Sequence, residues 1–477
     1  MEQLHPDTLD HLAGAARTPA YHRQAIAPGI VHLGPGAFHR AHQAVYTERA
    51  MEHDGGDWGI VGVSLRSASI ARQLNPQQGL YSVWSEDGEG RALRVIGALQ
   101  KVLVASEEMA SVITALADPA TRIVTLTITE KGYNLAADGE SLDRDDPQIA
   151  ADLADPEHPR SAIGVLALGL RARLDNGGAP LTILSCDNLS ENSKVLHLLL
   201  RDYLEETFAG VLPWLACSVT FPCSMVDRIV PATTPEQKER QAMALGLRDD
   251  GAVSTEPFIQ WIIEDNFAAG RPAWDQVGVQ FVRNILPYEN IKLRLLNASH
   301  SAIAYCGLLA GKDTVDAVMA DPRLRAYVEA LMAQDLMPVL DVPRGFDLGA
   351  YRDDLLARFS NPCLAHRCAQ IAMDGSEKIS QRWLPTLKAS AAPHLRQALA
   401  AWCYFVLFTD LAINDPRSAR LLELRQSDAP VPERLAQVLA CARVDADSMR
   451  DFAGLYAEVE RNVDRLSREG VYAILEV

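Results

Sequence analysis

The fold class that the sequence predicts is α/β: a doubly wound parallel sheet in the N-terminal part, followed by a mostly α-helical C-terminal part. Two observations carry the prediction. Up to about residue 285, short apolar runs rich in β-branched residues alternate with helical patterns, the signature of βαβ units. Beyond that point the strand signal stops and helical periodicity continues.

The strand candidates are Gly29–Leu33, Trp58–Leu65, Arg122–Thr129, Pro180–Ser185, Ala216–Phe221 and Val277–Val282. Their apolarity is continuous rather than alternating, as strands covered on both faces require. Between them Ser190–Phe208 reads as a helix, opened by Ser-Glu-Asn-Ser and carrying Val195, Leu196, Leu199 and Leu200 at helical spacing. The second half predicts helices over Asn290–Leu309, Pro322–Leu340, Leu348–Phe359, His366–Met373, Pro393–Ile413 and Ser448–Ser467. Pro343–Asp347 and Asn361-Pro362 break them. The expected division is 1–285 and 286–477, near Pro287, with a catalytic cleft between the halves as the default expectation.

Composition narrows the function. The 477 residues amount to two or three domain equivalents, and 48 % hydrophobic with 22 % charged residues argue against disorder. A net charge of −17 with no basic run excludes a nucleic-acid or anionic-membrane surface. An anionic ligand would need its positive charge supplied inside a pocket. The first twenty residues hold no apolar core of signal-peptide type, and the longest apolar run, Ala398–Phe408, falls short of the ~18 residues of a membrane span. The 8 Cys stand singly, with no C-x-x-C, so a reducing cytoplasm is the expected home. Cys363, His366 and Cys368 lack an evident fourth ligand, and no metal site is expected.

The first strand runs through Leu33 into Gly34-Pro35-Gly36-Ala37-Phe38-His39-Arg40 and then a helical stretch. A strand, a glycine turn and a helix N-terminus together suit a diphosphate. Gly34 would allow the turn and Gly36 the close approach of backbone to phosphate; His39 stands where a third glycine would. The second strand ends in Leu65-Arg66-Ser67 without the carboxylate that would hold a ribose 2′-hydroxyl, so Arg66 leaves NAD against NADP open. Polar strand ends at Thr129-Glu130, Cys186-Asp187-Asn188 and Ser224–Arg228 suggest a shared cleft. The densest constellation is Glu289 to His300. On an α-helix Lys292, His300 and Asn297 fall at about 0°, 80° and 140°, able to face one pocket. A lysine of lowered pKa suits proton transfer with a secondary alcohol, and an asparagine amide can donate to the developing oxyanion. Glu289 is an ion-pair partner or a proton conduit.

The stretches IVHLGPGAFHRAHQAVYTE, TITEKGYN, LSCDNLSEN, TFPCSMVDRIVPATTPE, EPFIQWIIEDNF, KLRLLNASHSAIAY, RFSNP and QIAMDGSEKISQR, in this order, resemble the polyol-specific long-chain dehydrogenase/reductase (mannitol dehydrogenase) family. The resemblance spans about residues 29 to 385. It implies a Rossmann-type N-terminal domain, a mainly helical C-terminal substrate domain and no metal. It also implies Lys292 as general acid/base, Asn188 and Asn297 as the pair that polarises the substrate oxygen, His300 as a positioning residue and Glu289 as the link to solvent. Asp227 and Lys378 match positions near substrate. Gln370 stands where mannitol-oxidising members usually carry an arginine, which turns the expectation toward the branch that interconverts D-fructuronate and D-mannonate. The expected cofactor is NAD, with NADP not excluded, bound by Leu33, Gly34, Pro35, Gly36, Ala37, Phe38, Arg40, Arg66 and Glu130; Asp227, Gln370 and Lys378 would bind substrate. The expected partner is a small sugar acid or polyol, with no nucleic acid and no membrane, and the expected state is a monomer. Oxidation of mannitol or arabinitol is the alternative within the family. A non-catalytic nucleotide sensor is the alternative outside it.

Overall fold

The computed structural model describes residues 1–14, 16–136 and 139–475. They form two compact units, Met1–Leu286 and Pro287–Val477.

The first unit holds twelve strands among its described residues: β1 (Pro28–Leu33), β2 (Gly59–Ser64), β3 (Tyr81–Glu86), β4 (Arg91–Ile96), β5 (Leu99–Val104), β6 (Ile123–Leu126), β7 (Leu181–Ser185), β8 (Val219–Thr220), β9 (Ser224–Asp227), β10 (Val253–Thr255), β11 (Gln260–Glu264) and β12 (Gln280–Val282). Six of them form one parallel sheet in the order β5-β2-β1-β6-β7-β8. Chain direction across the sheet reverses between β1 and β6, the switch point at which doubly wound sheets bind ligands. Side chains alternate across the pleat: Val31, Leu33, Val61, Val63, Val124 and Leu126 enter one core layer. Ile30, Ile60, Val102, Ile123 and Leu184 enter the other. Two three-stranded sheets, β10-β3-β4 and β12-β11-β9, flank it.

The parallel sheet expected from the apolar runs is present, with corrections in detail. Ala216–Ser218 close the helix Leu212–Ser218, so the expected strand Ala216–Phe221 shrinks to β8. The expected strand Val277–Val282 is β12, which pairs with β11 outside the main sheet. Pairing of the third run stops at Leu126 because the chain leaves the sheet toward Thr129, at φ +65. The sequence reading missed β3, β4, β5, β9, β10 and β11. The first two make a polar-faced hairpin, closed where Asp87 Oδ1 accepts from the N–H groups of Glu89 and Gly90.

The second unit is helical. Its central helix, Pro393–Phe408, is buried along Leu395, Ala398, Leu399, Trp402 and Val406. It packs against Ala298–Leu309 and Phe452–Glu469. Leu348–Phe359 forms over the expected span, whereas the expected helix His366–Met373 contracts to Cys368–Ile371. Gly375–Arg382, Leu384–Ala389, Ser418–Gln426 and Val431–Cys441 were not foreseen. Among the described residues no helix is long and apolar enough to cross a membrane, and no group of three or more His, Cys, Asp or Glu could hold a metal ion.

A buried carboxylate fastens the N-terminal segment to the sheet. Glu48 Oε2 accepts from Tyr21 Oη (2.7 Å) and from the N–H groups of Gly97 (2.8 Å) and Ala98 (2.7 Å). Burial pushes its pKa up from 4.5 to about 7. The folded state therefore holds this proton more tightly than the unfolded chain, and the associated stability is lost as pH rises from about 4.5 through 7. Thermal unfolding of wild type against Glu48→Gln should show the variant gaining about 1–3 kcal/mol relative to wild type over that window. A pH-independent difference would refute this.

Candidate active site

In the first unit β1 ends at the buried Leu33, and Gly34-Pro35-Gly36 lead into a short helix, Ala37–Ala41. Gly34 has φ +89, and a Cβ on it would lie 2.2 Å from the Thr127 carbonyl oxygen beyond β6. Only glycine fits there. Gly36 is different: a Cβ would meet nothing nearer than Gly34 O at 3.8 Å, so its outer face is open. It offers the helix no capping side chain, so none competes for the first N–H groups, the donors that hold a diphosphate in a strand–turn–helix. The Pro35 ring packs over Gly62 of β2, where a Cβ would come within 3.1 Å of it.

His39, in the third glycine position, is fully buried and stacks on His32 with ring centroids 3.4 Å apart. His32 Nδ1 lies 2.7 Å from Thr125 Oγ1, and its Nε2 lies 2.9 Å from Thr127 Oγ1. Burial keeps both rings neutral: it lowers the His32 pKa to about 3, and it takes His39 well below the usual range, with His32 adding to the effect. A flat neutral pair thus fills the space that close helix–strand contact would otherwise fill. Arg40, expected among the cofactor-binding residues, is buried. Its Nε donates to Gly36 O (3.3 Å), its Nη1 donates to Gly251 O, and Tyr81 Oη donates to Arg40 O (2.7 Å). Those carbonyls engage the guanidinium, which braces the loop from beneath. Ala37 and Phe38 are half-buried, the Phe38 ring stacked on His42 at 5.0 Å. Arg66 is exposed past β2 and donates from Nη2 to Gln148 Oε1 (2.7 Å), and Glu130 is exposed on a 3-10 turn past β6.

The three polar strand ends are tied together by Asp187, read in the sequence only as part of one of them, and by Asn192, which the sequence reading did not select. Asp187 accepts from the N–H groups of Ile128 (3.1 Å) and Thr129 (2.9 Å) and from Tyr133 Oη (2.9 Å), which joins the ends of β7 and β6. Burial raises its pKa to about 6 against these lowering bonds. Asn192 donates from Nδ2 to Asp187 O (3.0 Å) and Ser224 O (2.8 Å), which adds the start of β9. Asn188, beside Asp187, is exposed at this edge, and Asp227 is buried at the far end of β9 opposite Gln260. The signal for Asp187 was present in Cys186-Asp187-Asn188; nothing in spacing alone marked Asn192.

In the second unit Lys292, Asn297 and His300 lie on a helix that widens into a π-turn over Lys292–Asn297. The Ala298 N–H bonds to Leu293 O, five residues back. The angles expected for a regular α-helix are therefore corrected: an i→i+5 turn sets residues five apart nearly in line. Lys292 and Asn297 stack on one face, and His300 follows one α-turn later on that face. Glu289, one turn before Lys292, is buried at 4 % exposure. Lys292, Asn297 and His300 retain 6 %, 7 % and 7 % exposure, enough to reach a small ligand from a packed helix. Asn297 Nδ2 and His300 Nε2 are buried and make no hydrogen bond among the described residues.

Around His300 the field is positive. Its ring stacks on Phe359 at 5.1 Å and meets His366 edge-on at 5.0 Å. Burial depresses its pKa well below the usual range, and His366, Arg382, Arg358 and Lys378 add to the shift. Burial and Lys378 lower His366 to about 4. Arg382 Nη1 donates to Asn297 O (3.3 Å) and Ser301 Oγ (3.0 Å), so the π-turn and the helix Gly375–Arg382 hold one another. That helix is placed by Asp415, which accepts from Ser376 N (2.8 Å) and Oγ (2.7 Å). Gly375 permits the packing: a Cβ there would come within 2.3 Å of Tyr305 Oη. Lys378 is half-buried and donates to Ile371 O (3.2 Å), whereas Gln370 is exposed.

Residues 28–276 match the mannitol dehydrogenase Rossmann domain, and residues 284–467 match the mannitol dehydrogenase C-terminal domain. The chain is 40 % identical to the D-mannonate oxidoreductase of Escherichia coli K12 over 96 % of its own length and 97 % of that protein. It is 39 % identical to the polyol:NADP oxidoreductase of Gluconobacter oxydans over 80 % of each chain. The solved mannitol 2-dehydrogenase of Pseudomonas fluorescens, a ternary complex with NAD and D-mannitol, superposes with a TM-score of 0.90 at 36 % identity, covering 99 % of this chain and 98 % of that one.

The two glycines of the loop should respond differently to substitution. Gly36→Val should keep its melting temperature within a few degrees and weaken reduced-dinucleotide binding at least tenfold, read by fluorescence titration. Gly34→Val should lower both, because its side chain collides with backbone.

Proposed function

Because the chain belongs to the mannitol dehydrogenase family and is an NAD(P)-dependent dehydrogenase acting on a CH–OH group, we propose that its substrate is a sugar acid and that it interconverts D-fructuronate and D-mannonate. The positive field about His300, built by Lys378, Arg358 and Arg382, carries this reading. A substrate carboxylate gains from such surroundings, whereas a neutral polyol gains nothing. The 40 % identity to a D-mannonate oxidoreductase supports it.

The residues present fit a nicotinamide dinucleotide. Gly34 makes the turn, Gly36 leaves the open face for the diphosphate, and Leu33, Pro35, Ala37 and Phe38 shape the cradle. When bound, the nicotinamide accepts or returns hydride. In the oxidising direction Lys292, neutral, takes the hydroxyl proton of the substrate. Asn297 Nδ2 and the Asn188 amide donate to the oxygen as negative charge develops on it, which lowers the barrier without any change of charge on the protein. His300 Nε2 orients the substrate, and its neutral ring can both accept and donate. Glu289 passes the proton between Lys292 and solvent, and Asp227, Gln370 and Lys378 hold the rest of the substrate chain.

The second reading, a mannitol or arabinitol dehydrogenase, rests on the 36 % identity to a mannitol 2-dehydrogenase. Family membership leaves no room for the non-catalytic sensor. Initial rates with D-mannonate, D-mannitol and D-arabinitol under matched conditions separate the two readings. Mannonate should be preferred by at least tenfold in kcat/KM; equal or faster polyol oxidation would overturn the sugar-acid assignment.

Lys292→Ala should lose several orders of magnitude in kcat and still bind reduced dinucleotide, whereas Asn297→Ala should lose about 10²–10³. Near-normal turnover by Lys292→Ala would remove the lysine from its role.

A further inference from the structure

We propose that the adenosine end of the dinucleotide site is built for a 2′-phosphate, so that the enzyme takes NADP(H) in preference to NAD(H). The inference rests on the dinucleotide-binding reading but not on the identity of the substrate.

A cavity of about 470 Å³ opens where β2 and β5 end, at the carboxyl edge of the parallel sheet on the β1 side of the switch point. Doubly wound sheets bind the adenosine half of a dinucleotide at this edge, with the group that follows the second strand reading the ribose 2′-position. Leu65, Met109 and Val165 give the cavity apolar walls fit for a purine ring. Its charged lining residues are Arg66, Arg160 and His158, and no carboxylate lies among the described residues that line it. A carboxylate after the second strand accepts the hydroxyl of an unphosphorylated ribose; a guanidinium there repels nothing in NAD but gains a dianionic partner in NADP.

Arg66 is a held group rather than a free surface side chain. Gln148 accepts from its Nη2 at 2.7 Å, and Ser106 Oγ donates to its carbonyl at 3.4 Å. The loop behind it is closed by Ser64 Oγ donating to Ser67 O (2.6 Å) and by Ser67 Oγ accepting from Ser69 N (3.1 Å). Arg160 is fixed at its backbone, since the buried Asp152 accepts from Arg160 N (2.8 Å) and Ser161 N (2.8 Å). The His158 ring lies 3.0 Å from the Asp155 carboxylate, which offsets its charge when protonated, so the two arginines carry the selectivity.

Titrating the purified full-length protein with NADPH and with NADH, in the absence of any substrate, tests this by fluorescence. NADPH should bind at least tenfold more tightly, with a preference that shrinks as salt rises. Arg66→Asp should shift the NADPH-to-NADH affinity ratio at least a hundredfold toward NADH, and Arg160→Ala should shift it several-fold in the same direction. Both positions are exposed, and circular dichroism melting confirms that each variant folds. Equal or tighter NADH binding by wild type, or an unchanged ratio in Arg66→Asp, overturns the proposal. Failure of mannonate as substrate with the NADPH preference intact would overturn the sugar-acid reading alone, and failure of both nucleotides to bind would overturn the dinucleotide site itself.

Discussion

The first unit depends on one buried carboxylate. A parallel sheet delivers its strand ends to one edge, but the loops that leave it are separate chains of polar backbone with no reason to keep a common geometry. Asp187 supplies that reason. Its two oxygens draw in the N–H groups of Ile128 and Thr129 and the hydroxyl of Tyr133, and through the Asn192 amide the same knot reaches Ser224. Burial makes the carboxylate costly, and three donors offset that cost. The glycine loop is set beside it, since Thr127 approaches Gly34 so closely that no side chain could stand between them.

The second unit solves the same problem with helices. Asp415 fixes the start of Gly375–Arg382, and Arg382 reaches the Asn297 carbonyl and the Ser301 hydroxyl. The positions of Lys292 and Asn297 therefore rest on packing across helices and not on their own helix alone. A positive environment so close to buried histidines favours their neutral forms, which leaves an imidazole able to accept from a substrate hydroxyl.

Legibility in the sequence followed the physics of burial. β1, β2, β6 and β7 were readable because strands covered on both faces must be apolar throughout. β3 and β4 carry Ser82, Ser85, Glu86, Arg91 and Arg94, so their pattern does not announce a covered strand, and β5 went unread beside them. The short helix Cys368–Ile371 lost its expected first turn to Arg367, which is extended and bridges Thr314. Of the candidate site, Lys292, Asn297, His300 and the glycine loop were legible as residue types in a pattern. The burial of Arg40 was not legible because its partners, Gly251 O and Tyr81 Oη, lie far along the chain. The tying roles of Asp187 and Asn192 were not legible for the same reason: their worth lies in which strand ends meet, and that is a property of topology.

The π-turn has a consequence for how such a chain can change over time. A regular helix absorbs the loss or gain of a residue by rotating everything beyond it, and a long buried helix resists either. Here one residue more than an α-turn needs is already stored between Lys292 and Asn297. Excising a residue from Leu293–Leu296 would let the helix relax to ordinary winding with the amide four residues from the lysine and still on its face. The interval therefore carries one residue of slack in its length, whereas Leu295 and Leu296 within it are buried in the core and are not free to drift.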